Sequence, residues 1–173
     1  ASSFPRARGY VTNTFAQCQI FMTCPYHRGK VMDAMLQALH ELRDKAGDSA
    51  PLYVISYNLG TVVSATFWGA DRRSTFWQPS LVYTLACPLQ WFVDANTFSL
   101  DYFGEECKWY NFFMSGDFAA GPLKPLSAKF DLLVCADVQL GISWWPEYDF
   151  SRGVVWPPLT RSFFSAFNSM YIS

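Results

Sequence analysis

Charge is what this chain has least of. Of its 173 residues, 16% are Asp, Glu, Lys or Arg, against roughly 25% in an average soluble protein. The thirteen basic and fourteen acidic side chains leave a net charge of −1. No basic stripe exists to neutralise a phosphate backbone, so nucleic acid is excluded as a partner. Gly-rich phosphate loops are also missing, both the Walker type and the dinucleotide fingerprint, which argues against nucleotide cofactors. Cofactor and metal are both expected to be absent. His27 and His40 are the only histidines, too far apart in sequence for the short ligand spacing of zinc sites, and no Cys-x-x-Cys occurs.

The five cysteines, Cys18, Cys24, Cys87, Cys107 and Cys135, are odd in number and unpaired in spacing. That is not the framework of a disulfide-stapled secreted domain. Reduced thiols in the cytoplasm or another reducing compartment are expected, and the absence of any Asn-x-Ser/Thr acceptor agrees. Ala1 to Gly9 lacks the apolar run of a signal peptide; its Arg6 and Arg8 leave a removed targeting segment open, and residues 1–9 read as a flexible tail. Two uncharged stretches, Ser49 to Ala70 and Ser74 to Val93, are interrupted by proline and polar residues and do not read as transmembrane spans.

Apolar residues make up 51% of the chain and aromatics 18%, enough for one core, so residues 1–173 are expected to form a single domain. Alternation over Thr14 to Cys24 predicts a strand. Val31, Met35, Leu39 and Leu42, with Met32 and Leu36 beside them, predict an amphipathic helix from about Arg28 to Ala46, stopped by Gly47. Leu52 to Tyr57 and Thr61 to Trp68, bracketing Asn58-Leu59-Gly60, predict a hairpin. Further on, Leu81 to Cys87, Thr97 to Phe103 and Phe130 to Ala136 read as strands. Glu105 to Met114 reads as a short helix, Ser115 to Leu126 and Trp144 to Pro158 as loops, and Thr160 to Met170 as a terminal helix. The fold class expected is α+β: a mostly antiparallel sheet with one long amphipathic helix on a face, opening strand, helix, hairpin.

Chemistry-bearing patterns are few. Cys24-Pro25-Tyr26-His27-Arg28-Gly29-Lys30 lies between the expected strand and helix, where helix N-termini favour thiolates and anions. In those seven residues it resembles the phosphate loop of cysteine phosphatases. Lys30 stands where that loop carries its arginine, and lysine cannot reproduce the bidentate clamp. Cys24 and His27 are therefore weak catalytic candidates, set against a simple basic turn. The carboxylates Glu105 and Glu106, Asp94 and Asp101, and Asp131 and Asp137 offer no decisive spacing for acid/base work. The nucleophile-elbow pattern Gly-x-Ser-x-Gly is absent.

What remains is aromatic. Trp68, Arg72, Arg73 and Trp77 form one cluster in sequence; Trp144, Trp145, Tyr148 and Trp156 form another. Trp, Tyr and Arg dominate interface hot spots because they bury large area at small entropic cost. The leading expectation is a non-enzymatic protein–protein binding module, a subunit of a complex or an immunity-like neutraliser of a partner, with self-association included. The alternative is a small-molecule-binding protein or small hydrolase with an aromatic-lined pocket. A viral capsid or shell component is weaker, because a helix so early in the chain does not suit a jelly roll.

Overall fold

The computed structural model describes residues 3–69, 77–94, 107–115, 117, 120–123 and 135–142. The chain opens with two helices, α1 (Ser3–Thr23) and α2 (Pro25–Ala46), then runs β1 (Leu52–Tyr57), α3 (Leu59–Gly69), β2 (Pro79–Leu85), α4 (Leu89–Asp94), β3 (Lys108–Ser115) and β4 (Cys135–Ile142). The four strands form one sheet in the order β1-β2-β3-β4, and every neighbouring pair is parallel.

That arrangement overturns the antiparallel sheet and the strand–helix–hairpin opening. Thr14 to Cys24 belongs to α1 rather than to a strand. Cys18 and Phe21 are buried and Phe15 and Met22 packed beside them, a spacing of three and four residues that only a helix puts on one side. The alternation read there was a chance overlay on this longer period. α1 also starts at Ser3, inside the stretch read as a tail. At 21 and 22 residues, α1 and α2 replace the single long helix.

Thr61 to Trp68, expected as the second hairpin strand, lies within α3. Parallel neighbours cannot be joined by a tight turn and need a crossover; α3 is that crossover from β1 to β2. Its β-branched and aromatic residues suit a strand by propensity, but Thr61, Val62, Ser64, Ala65, Thr66 and Trp68 are all buried, and burial on nearly every side decides the outcome. The Thr66 hydroxyl donates to the Val62 carbonyl at 2.7 Å, so its polar atom is satisfied inside the helix. Conversely, the stretch read as a helix from Glu105 to Met114 contains most of β3, a central strand flanked by β2 and β4. Its run Trp109, Tyr110, Asn111, Phe112 is the near-continuous buried sequence that parallel strands show. Thr97 to Phe103, Trp144 to Pro158 and Thr160 to Met170 lie outside the described residues.

Each face of the sheet carries its own core. Val82 and Trp109 project with Val54 toward Cys18 and Phe21 of α1, Val62 and Ala65 of α3 and Phe92 of α4. Strands added in sequence order with one crossover hand place their helices on the same face, and this cluster is the result. On the other face Leu81, Tyr83, Leu85, Phe112 and Met114 are buried, with Tyr53 and Tyr110 at their flank. A third cluster, Leu39, Leu52, Trp68 and Trp77, seals the end of the sheet where β1 and β2 begin. No described helix is long and apolar enough to cross a membrane.

Candidate functional site

In a parallel sheet with helical crossovers, ligands bind where the strands end, because the loops leaving the carboxyl edge diverge there. At that edge β1 passes into α3 through a single residue, Asn58, whose φ is +49°. Its N–H donates to the Leu85 carbonyl of β2 at 3.0 Å, and its own carbonyl accepts from the Thr61 N–H at 2.9 Å and the Thr61 hydroxyl at 2.6 Å. β2 ends in the same manner: Ala86 has φ +50° and its N–H donates to the Phe112 carbonyl of β3 at 3.2 Å. Left-handed backbone is a modest cost for Asn and a larger one for Ala. Strain of this kind persists only where the surroundings over-determine it, and it gathers at functional sites.

Beneath these turns sits a buried polar layer on the helix-covered face. Ser56, Thr84 and Asn111 lie side by side in register across β1, β2 and β3. Ser56 shares a 2.7 Å hydrogen bond with Ser64 of α3, which draws the helix against the strand just below the turn. Thr84 donates to Asn111 Oδ1 at 3.0 Å and accepts from the Trp109 indole N–H at 2.9 Å. Asn111 Nδ2 donates to the Gly121 carbonyl at 2.9 Å, tying down the segment that follows β3. A Cβ on Gly121 would stand 2.7 Å from the Gln90 side-chain oxygen, so the bare backbone there is what admits Gln90. Asp117, also past the end of β3, is buried.

Cys87 lies directly after the Ala86 turn and is fully buried. Burial pushes its thiol up to about 12, against the lowering effect of hydrogen bonds from the Thr61 side chain, the Leu89 backbone and the Thr84 side chain. It is a neutral, unreactive thiol at physiological pH. Cys18, from α1, is raised to about 11 by burial. Cys18, Cys24, Cys87 and Cys107 are free thiols, and the described residues contain no group of three His, Cys, Asp or Glu fit to hold a metal.

The residues singled out in the sequence lie elsewhere. Cys24 caps the N-terminus of α2 without a side-chain hydrogen bond, between two helices rather than a strand and a helix, so the likeness to a phosphatase loop has no structural counterpart. Arg28 turns back to the Met22 carbonyl at 3.2 Å, and Lys30 sits 4.6 Å over the Tyr26 ring, with His27 exposed beside it. Trp68 and Trp77 are interior, and the Trp77 indole donates to the Ala50 carbonyl at 2.8 Å. They close the amino end of β1 and β2, opposite the edge just described. Arg72, Arg73, Trp144, Trp145, Tyr148 and Trp156 lie outside the described residues.

Sequence reasoning missed Asn58. A strand, one residue of left-handed backbone and then a helix is the sharp turn by which serine hydrolases raise a nucleophile above a sheet. The segment Ser56-Tyr57-Asn58-Leu59-Gly60 has that backbone without the serine. The available signal was the pair of small residues two before and two after Asn58, hidden because Asn58-Leu59-Gly60 also spells a hairpin turn. Comparison with protein-family models, curated proteins and solved structures finds no match.

Proposed function

We propose that the protein binds a small molecule at the carboxyl edge of its parallel sheet and does not hydrolyse it through a serine triad. The observation that carries this reading is the coincidence, at one edge, of two left-handed strand ends, Asn58 and Ala86, with a polar layer drawn from three strands and α3. A serine triad at this turn is disfavoured by its side chains: Asn58 stands where the nucleophile would, and both histidines of the chain precede it, exposed on α2. In the turn's serine-hydrolase form the nucleophile comes first and the histidine last. Screening a fragment library by protein-observed NMR tests the reading. Hits are expected to shift Asn58 to Thr61 and Ala86 to Cys87; hits that cluster only on α2 and the outer side of β1 would refute it.

Binding of a protein partner through an aromatic surface is the second reading. It is favoured by the exposure of Trp91 (50%) on α4 and of Ile55 (59%) and Tyr57 (42%) on β1, one of the two edge strands among the described residues. Edge strands with exposed apolar side chains are templates for pairing. Sedimentation velocity would then show an assembly that Ile55→Lys disrupts; a concentration-independent monomer counts against self-association.

A further inference from the structure

We propose that the protein pairs with a second copy of itself through β1, antiparallel across a two-fold axis at Ile55, so that the two sheets join edge to edge. This rests on the second reading above, binding through the exposed residues of β1, and adds to it the partner and the register.

A parallel ladder uses alternate residues of a strand, each directing its N–H and C=O to the same neighbour. The Asn58 N–H donates to the Leu85 carbonyl of β2 at 3.0 Å. Ser56 therefore faces β2 as well, and Ile55 between them turns its N–H and C=O outward. β1 ends the described sheet on that side, so these two groups stand on its rim, where they form a template for another strand. Proteins that stay monomeric blunt such an edge with lysine, proline or an inward-pointing charge. Leu52–Tyr57 contains none of these, and no charged residue occurs from Ser49 to Ala70. Its one irregularity, between Leu52 and Tyr53, leaves Tyr53 to Tyr57 in unbroken register with β2.

The side chains select the second copy. Ile55 lies beside Tyr83, on the face of the sheet away from α1 and α3, and is 59% exposed. Residues opposite one another in an antiparallel pair point to the same face, so a two-fold axis perpendicular to the sheet pairs residues of equal parity. With the axis at Ile55, this residue meets Ile55 of the second copy, Val54 meets Ser56, and Tyr53 meets Tyr57. The most exposed apolar side chain of the strand thereby covers its own counterpart, and the two outward N–H and C=O groups exchange hydrogen bonds with Cα atoms about 5.5 Å apart. Charge agrees with this choice. An uncharged edge is matched by an uncharged edge, which a second copy carries by construction, and a net charge of −1 per chain gives two copies little mutual repulsion. A six-residue strand makes a small interface, so the dimer is expected to be reversible and concentration-dependent.

Amide hydrogen exchange of the wild-type protein, followed by NMR over a concentration series, tests the pairing. The Ser56 N–H is bonded to β2 in monomer and dimer alike, whereas the Ile55 N–H gains its partner only in the dimer. Exchange at Ile55 is expected to slow about tenfold between dilute and concentrated samples while Ser56 stays constant, and sedimentation velocity on the same samples is expected to show the dimer. A dimer formed without protection of Ile55 overturns strand pairing and leaves the second reading in place. A monomer at every concentration overturns the proposal together with the self-association form of that reading. Two variants add an independent check. Ile55→Pro removes the outward N–H without touching the bonds to β2, a placement that strand edges tolerate, and Ile55→Val keeps that N–H. With wild-type circular dichroism spectra in both, the proline variant is expected to remain monomeric at concentrations where Ile55→Val dimerises; equal association of the two overturns the pairing. In a mixture of isotope-labelled and unlabelled protein, contacts from Ile55 to Ile55 are expected across the interface, and contacts from Ile55 only to other residues overturn the register.

Discussion

Thr84 and Asn111 show how much a few buried polar atoms decide. Both are sealed from solvent, and between them they satisfy the Trp109 indole and the Gly121 carbonyl. Replacing Thr84 by Val keeps the volume but removes the hydroxyl that accepts from the Trp109 N–H and donates to Asn111 Oδ1, and losing buried hydrogen bonds of this kind costs about 1–3 kcal/mol. Asn111→Ala removes the bonds to Thr84 and the Gly121 carbonyl and opens a cavity, so the expected loss is larger, roughly 2–5 kcal/mol. Urea unfolding of the two variants checks the order. If Thr84→Val matched wild type, the hydrogen bonds of this layer would contribute little and packing alone would hold the strand ends. The same residue type serves differently two strands apart: the Asn111 side chain is tied into the floor, whereas Asn58 holds the turn above it through its backbone N–H and carbonyl.

At the scale of elements, two glycines separate helix entry from helix exit. Gly47 ends α2 at φ +87° and its N–H caps the Arg43 carbonyl; an alanine there is strained however open the space. Gly60 sits in the first turn of α3 with nothing within 4 Å of an added Cβ and no left-handed φ. Gly60→Ala is therefore expected to stabilise by about 0.4–1 kcal/mol and Gly47→Ala to destabilise by about 1 kcal/mol, read from thermal midpoints measured side by side. These two positions also show what could be read in advance. The end of α2 was legible because Gly47 follows a charged, periodic stretch, and β1 was legible because Leu52 to Tyr57 is short, apolar and bounded by Pro51. The start of α3 was not. Asn-Leu-Gly between two β-branched runs obeys the local rules of a hairpin, and only the pairing of β1 with β2 in parallel, a contact between distant residues, forces the second run to be a helix. The candidate site was illegible for the same reason: it is assembled from the ends of strands whose order no local pattern encodes.

For the molecule as a whole, aromatic abundance is largely an interior matter among the described residues. Trp109 is buried in the helix-covered core and Trp68 and Trp77 in the cluster at the start of β1 and β2, with Trp91 the exposed exception among these tryptophans. The helix-covered core also buries thiols, and this gives the fold an alkaline limit. Cys18 and Cys87 are raised from 9.0 to about 11 and about 12, in both cases chiefly by burial, so the folded protein holds protons that the unfolded chain releases. Stability from these groups is complete below pH 9 and declines as pH rises from 9 toward 11 and 12, each thiol contributing a slope of up to ~1.4 kcal/mol per pH unit within its window. Tyr83, raised by burial and by Tyr110 from 10.0 to about 12, has its hydroxyl buried without a partner and adds to the decline above pH 10. Urea unfolding at intervals between pH 8 and pH 10.5 is expected to show a flat region followed by a fall, and Cys87→Ala, though less stable at pH 8, is expected to fall less steeply above pH 9. A variant that kept the full wild-type slope would show that Cys87 ionises as readily in the folded protein as in the unfolded chain, and that the thiol beneath the Asn58 turn is open to water.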